Sequence, residues 1–291
     1  MKVGFVFTNY NNSAYTRNAV DSIMKISANV SCFIVIVDNN SEDEDILNLD
    51  KINFEYPDVK IIYNRENLGY FKGLNIGIKY LQESTIGLDF MVVGNNDLVF
   101  PANFMSCLQA RQDLFSKFPV VSPDLITLDG VHQNPHVISR INPFRELIWD
   151  IYYSNYLVAL IINKIAKISR SVTERRDYLD HETPQLIYQG YGACYILGPV
   201  FFNEFSELWA PTFLMGEELF LTKQLEEKGY NVYYEPSIKV EHHDHATIGK
   251  VHSRQLWKIA SDSHKVYRRH VGWFSSKLKI LTVPNSAKNG K

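Results

Sequence analysis

The chain has 291 residues, 45% hydrophobic and 21% charged, with a formal net charge of −2. That balance is the one of a soluble globular protein that buries a full core, and no run of about 18–20 uncharged apolar residues exists, which excludes a spanning helix. The three cysteines (Cys32, Cys107, Cys194) show no CxxC or other metal-like spacing, so buried reduced thiols and a cytosolic setting are expected. The apolar run at Met1 to Phe7 is too short for a signal peptide.

In chain order, Val3 to Phe7 reads as a strand and Thr8 to Asn12 as a polar loop, with Ser13 capping a helix to about Lys25. Cys32 to Val37 is a second strand ending at Asp38-Asn39-Asn40-Ser41, and acidic residues 42–45 open a helix where its dipole favours them. Val59 to Tyr63 is a third strand, Gly69 to Leu81 a helix, and Phe90 to Val93 a fourth, buried strand. Alternating strands and helices predict right-handed βαβ units in a parallel sheet. The polar clusters Thr8-Asn9-Tyr10, Asp38-Asn39-Asn40, Asn64 to Asn67 and Asn95-Asn96-Asp97 all fall at strand carboxyl ends, where such sheets bind nucleotides.

Pro119 to Ile126 reads as a further strand. Residues 135–185 break the pattern. Leu147 to Ile168 is apolar and aromatic, ending near Lys164 and Lys167, and fits a helix or helical hairpin. Packing on the body, a dimer contact and a membrane-surface element are all open for it. Gly190 to Leu197 resumes strand character, Leu219 to Lys228 is a helix stopped by Gly229, and Asn231 to Tyr234 is a strand. From Lys250 to Lys291 there are ten Lys or Arg and one acidic residue, leaving 20 basic and 31 acidic residues in the rest. Such a tail suits either an anionic partner, such as phosphate or a membrane surface, or simple solvation.

Three clusters carry chemistry. Asn95-Asn96-Asp97 is either a strand-to-helix turn or a set of oxygen ligands for a hard divalent cation bearing phosphate. Glu217-Glu218 stands at a helix start, where acids are favoured in any case. His242-His243-Asp244-His245 looks like a metal tract, but adjacent strand residues point to opposite faces, so the three histidines do not share one ion.

Taken in order, FVFTNYNN (5–12), IVIVDNNSED (34–43), NRENLGYFKGLNIGI (64–78), MVVGNNDLVF (91–100), FLMGEELFLTKQLEEKGYNVYYEP (213–236) and VEHHDHAT (240–247) resemble the family-2 inverting glycosyltransferases, including bacterial rhamnosyltransferases. The resemblance implies an α/β GT-A fold: a mostly parallel central sheet flanked by helices, with a helical insertion and a helical C-terminal tail. It implies a catalytic domain over 1–250, with a nucleotide-sugar half at 1–126, the insertion at 135–185 and an acceptor half at 186–250. A basic tail follows at 251–291.

The same resemblance implies the site. Thr8 and Tyr10 would lie beside base and ribose, and Asp38 would accept a hydrogen bond from the base. Asn67, Gly69 and Gly73 would form the loop under the nucleotide. Asn95 replaces the first carboxylate of the DxD-type motif, Asn96 would reach ribose or sugar, and Asp97 would bind Mg²⁺ or Mn²⁺ with His242, His245 being second choice. Glu218 matches the catalytic base position, where the family has Asp, and Glu217 is the runner-up. Arg268, with Arg269, would contact diphosphate or membrane. Implied partners are a UDP- or dTDP-sugar donor and a glycan or lipid-linked saccharide acceptor of bacterial surface polysaccharide assembly. The expected location is cytoplasmic, peripheral at the inner face of the plasma membrane, with a homodimer as one option and no nucleic-acid partner. Two competing readings are a nucleotidyltransferase, disfavoured because the first loop lacks Gly and Lys, and a non-catalytic nucleotide-sugar-binding protein.

Overall fold

The structure, a computed structural model, describes residues 1–27, 30–85, 87–140, 143–168, 177–243 and 253–270. The first half follows the alternation seen in the sequence: β1 (Lys2–Asn9), α1 (Ser13–Ile26), β2 (Ser31–Asp38), α2 (Asp43–Glu55), β3 (Lys60–Tyr63), α3 (Tyr70–Ser84) and β4 (Phe90–Asn95). β5 (Leu98–Val99), α4 (Phe104–Ala110) and β6 (Val120–Thr127) follow. Then come α5 (Pro143–Ser154), α6 (Tyr156–Ile168), β7 (Gln185–Ile187), β8 (Cys194–Leu197), α7 (Pro199–Glu204), α8 (Glu217–Glu226), β9 (Val232–His242) and α9 (Ser253–His270).

Among the described residues nine strands form one sheet, ordered β3-β2-β1-β4-β8-β6-β9-β5, with β7 also on β9. The period of two along each strand divides the core between the two faces. Phe5, Phe7, Ile34, Ile36, Phe90 and Val92 point to one layer, where Phe100 and Phe104 also pack. Val6, Val35, Val37, Met91 and Val93 point to the other, under Phe71, Leu74 and Ile78 of α3. β1 is therefore apolar on both faces, as a central parallel strand requires.

The sheet is parallel from β3 through β4 and mixed beyond. β8 runs antiparallel to both β4 and β6, whereas β9 is parallel to β6 and antiparallel to β5 and β7. The long segment 147–168 resolves into the hairpin α5–α6. The strand expected at 231–234 continues to His242, crossing a bulge opposite Pro123/Asp124. Ser13 is the first helical residue rather than a cap; its hydroxyl donates to Asp45 Oδ1 at 2.6 Å.

Candidate active site

β1, β2 and β4 end together, and their polar ends knit to one another. Asn9 is the centre of the knot. Its amide nitrogen lies 2.8 Å from Asp38 Oδ1, 3.1 Å from Ser41 Oγ and 2.7 Å from Asp45 Oδ2, and its oxygen accepts from Thr16 and Asn96. Asp38 is fully buried; it also accepts from the Ser41 backbone N–H at 3.0 Å and from the Ser41 hydroxyl. Both of its oxygens are thus bonded within the protein. The Asn96 amide likewise donates to Asn9, Thr16 and the Asn12 carbonyl. Thr8 pairs across to Asn95 and Val37, and Tyr10 stands exposed at the rim.

The expected nucleotide loop serves a second element. Gly69 has φ +86°, and a Cβ there would fall 1.8 Å from the Phe213 carbonyl oxygen, which accepts from Tyr70 N–H at 3.1 Å. Only glycine permits this conformation and this approach together. Asn67 Oδ1 accepts from Gly69 N–H at 3.0 Å and sets the turn. A Cβ at Gly73 would fall 2.8 Å from Thr8 and 3.1 Å from Asn39, so glycine there lets α3 pack closely on the ends of β1 and β2.

Asp97 follows β4, and the β5–β9 ladder places Leu98 opposite His242, which brings Asp97 beside that histidine. His243 N–H closes the corner on the Asp97 carbonyl at 2.9 Å. Asp97 Oδ1 and His242 Nε2 are 3.2 Å apart and both are buried, yet neither makes a hydrogen bond. They meet the distance of an ion pair but not the angle of a hydrogen bond. His242 Nδ1 is 2.7 Å from Gln133 Oε1. An amide oxygen only accepts, so Nδ1 donates in that contact and Nε2 is the ring nitrogen that faces the carboxylate. A carboxylate oxygen and an imidazole nitrogen, both buried and without a hydrogen-bond partner, are ligand types that suit a divalent cation, with Gln133 orienting the histidine. Among the described residues no third His, Cys, Asp or Glu completes the set. His243 turns away, its ring edge-on to Tyr15, and His245 lies outside the described residues.

Glu217 and Glu218 open α8 after two left-handed residues, Met215 (φ 73°) and Gly216 (φ 85°). The preceding loop is pinned by Tyr70 on one side and by Ser263 of α9, whose hydroxyl donates to the Leu214 carbonyl at 2.6 Å. Glu217 is 6% exposed and its Oε1 has no partner. Burial first, then the charge of Glu218, pushes its carboxyl up to about 8. Glu218 is half-buried, and its Oε1 occupies the space a Cβ would take at Gly192, only 2.5 Å away. Tyr191, beside that glycine, meets the His242 ring at 5.9 Å. The short segment Tyr191-Gly192 therefore bridges the acidic pair and the Asp97–His242 pair.

With this geometry in view, residues 5–153 match the glycosyl transferase family 2 profile, just over half of the chain. The chain belongs to glycosyl transferase family 2. Solved structures that this family member resembles include GalNAc-T7 with UDP, GalNAc and Mn²⁺, at 16% identity and TM-score 0.52 over 83% of this chain and 44% of that one. The mannosyltransferase PcManGT from Pyrobaculum calidifontis, in complex with GDP-Man and Mn²⁺, matches at 14% and 0.50 over 83% and 56%. TarS of S. aureus matches at 12% and 0.53 over 83% and 36%. These likenesses show the GT-A fold, and the chain spans about half or less of the length of these structures. No curated protein sequence matches it.

Arg268, expected at diphosphate or membrane, is fastened to α5, 2.9 Å from both Glu146 and Asp150, with Tyr267 and His264 donating to the same two carboxylates. Asn9, Gln133 and Gly192 are the residues that sequence reasoning missed. Asn9 lay in a flagged polar loop; Gln133 and Gly192 had no local signal, because strand pairing alone brings them to the site.

Proposed function

We propose that the chain is an inverting glycosyltransferase that moves a sugar from a UDP- or dTDP-sugar to a saccharide acceptor, glycan or lipid-linked. The observation that carries this reading is the buried, unpartnered pair Asp97 Oδ1 and His242 Nε2, set one short segment from a glutamate pair. Asp97 and His242 would hold Mg²⁺ or Mn²⁺, which when bound neutralises charge on a departing nucleoside diphosphate. Thr8 and Tyr10 flank the base and ribose at the β1 end. Glu218 is the general base: it is reachable, stands beside the space at Gly192, and takes the proton of the attacking acceptor hydroxyl. Glu217, buried and protonated, holds the pair to a single charge. A Glu218→Gln variant should lose about 10²–10⁴-fold in turnover. Full activity in that variant with loss in Glu217→Gln would move the base to Glu217.

The membrane reading rests on the α5–α6 hairpin, which exposes Leu147, Ile151, Leu157, Leu160 and Ile161 and carries Lys164. Such a face beside a cation suits an anionic lipid surface, where a lipid-linked acceptor of surface polysaccharide assembly would reside. No described helix is long and apolar enough to cross a membrane. The full chain should float with anionic liposomes and Leu157→Glu/Ile161→Glu should not; a dimer that this variant dissolves, without flotation, would assign the face to a second copy.

A further inference from the structure

A cavity of ≈ 350 Å³ lies between the turn after β6, helix α5, the residues around Asp177 and the chain leading into β8. Its size is at the lower end of small-molecule sites, about 300–1,000 Å³. Trp149, Tyr178 and Tyr191 give it aromatic walls, and Arg145, Gln133 and Gln189 give it polar ones. Gln133 and Tyr191 are shared with the Asp97–His242 pair: one holds the His242 ring, the other packs against it.

Gln189 is the telling residue. Its backbone is paired both ways with Val137, at 2.9 and 3.0 Å. Its side chain is 4% exposed and lines the cavity, yet its amide nitrogen has no hydrogen-bond partner. A buried amide donor without an acceptor costs about 1–3 kcal/mol, which a ligand oxygen can relieve.

We propose that this cavity is the acceptor subsite and that its ligand is a saccharide ring. This rests on the transferase reading above. In the sheet order, the nucleotide ends of β2 and β1 lie on one side of β4, and the cavity lies on the β8-β6-β9 side. Gln133 and Tyr191 line the cavity and also touch His242, so a ligand in the cavity lies beside the proposed diphosphate position. Glu218 sits at Gly192, next to Tyr191 in the chain. Aromatic faces with donors and acceptors in their plane match a pyranose, whose faces are apolar and whose edges carry hydroxyls. Gln189 selects a hydroxyl or ring oxygen as its acceptor.

The test is saturation-transfer NMR on the full chain without donor, using methyl glycosides of glucose, galactose, rhamnose and N-acetylglucosamine. At least one glycoside should receive saturation. Gln189→Met, which keeps the volume, should weaken it about tenfold, the effect of one buried hydrogen bond. Trp149→Ala should weaken it as well, and both variants should keep the wild-type thermal shift with UDP and Mn²⁺. Nucleotide binding with no saturation of any glycoside, or saturation unchanged in both variants, overturns the proposal. Saturation without any nucleotide or metal response leaves the saccharide site standing and removes the transferase reading.

Discussion

Replacing Glu217 by Gln isolates the ionisation of one buried carboxyl. Glu217 is raised from 4.5 to about 8, by burial and by the neighbouring charge of Glu218. A raised folded value means that the native state keeps a proton which the unfolded chain releases. Stability is therefore complete below about 4.5 and falls as pH rises through about 8. Those two values put the cost at about 2 kcal/mol at pH 6 and about 5 kcal/mol at pH 9, a loss of about 3 kcal/mol across the window. At about 2 °C per kcal/mol for a chain of this size, wild-type Tm should drop about 6 °C between those pH values relative to Glu217→Gln. Differential scanning fluorimetry of both proteins across pH 6–9 reads this directly, and the subtraction removes other titrating groups. Parallel curves for the two proteins would refute the buried, protonated Glu217.

Gly69→Ala should destabilise by at least about 1–3 kcal/mol, because the left-handed backbone and the Phe213 carbonyl both oppose a Cβ; unchanged chemical denaturation would remove the link between the α3 and α8 loops. Arg268→Ala should cost about 1–3 kcal/mol by leaving Glu146 and Asp150 without their cation, while UDP affinity is unchanged. Weaker UDP binding with unchanged Tm would return Arg268 to the diphosphate.

Much of this was legible before any coordinates, for reasons that differ by residue. The first four strands announce themselves because each is a short apolar run closed by a polar cluster, and parallel order follows from the helices between them. Asp97, His242 and the Glu217-Glu218 pair were nameable through the family resemblance, since a helix start alone favours acids in any case. What a sequence does not display is which polar atoms satisfy one another. Asp38 and Asn96 look like ligand contacts in one dimension, and only three-dimensional closure through Asn9 shows their donors and acceptors engaged internally. Gly69 was marked as a glycine of consequence, but its reason, the Phe213 carbonyl, lies 144 positions along the chain. The antiparallel insertion of β8 between β4 and β6 was equally hidden, since a four-residue apolar strand carries no sign of its partner or direction.

The central claim is that Asp97 and His242 form a cation site for a nucleoside diphosphate. Thermal stabilisation by UDP, dTDP and GDP, with and without Mn²⁺, tests it on wild type, Asp97→Asn and His242→Ala. A binder at one hundred times its Kd adds about 3 kcal/mol, or roughly 5 °C here. UDP or dTDP should give this shift only with Mn²⁺, and both variants should abolish it. An equal shift without metal, or one that survives in both variants, would contradict it.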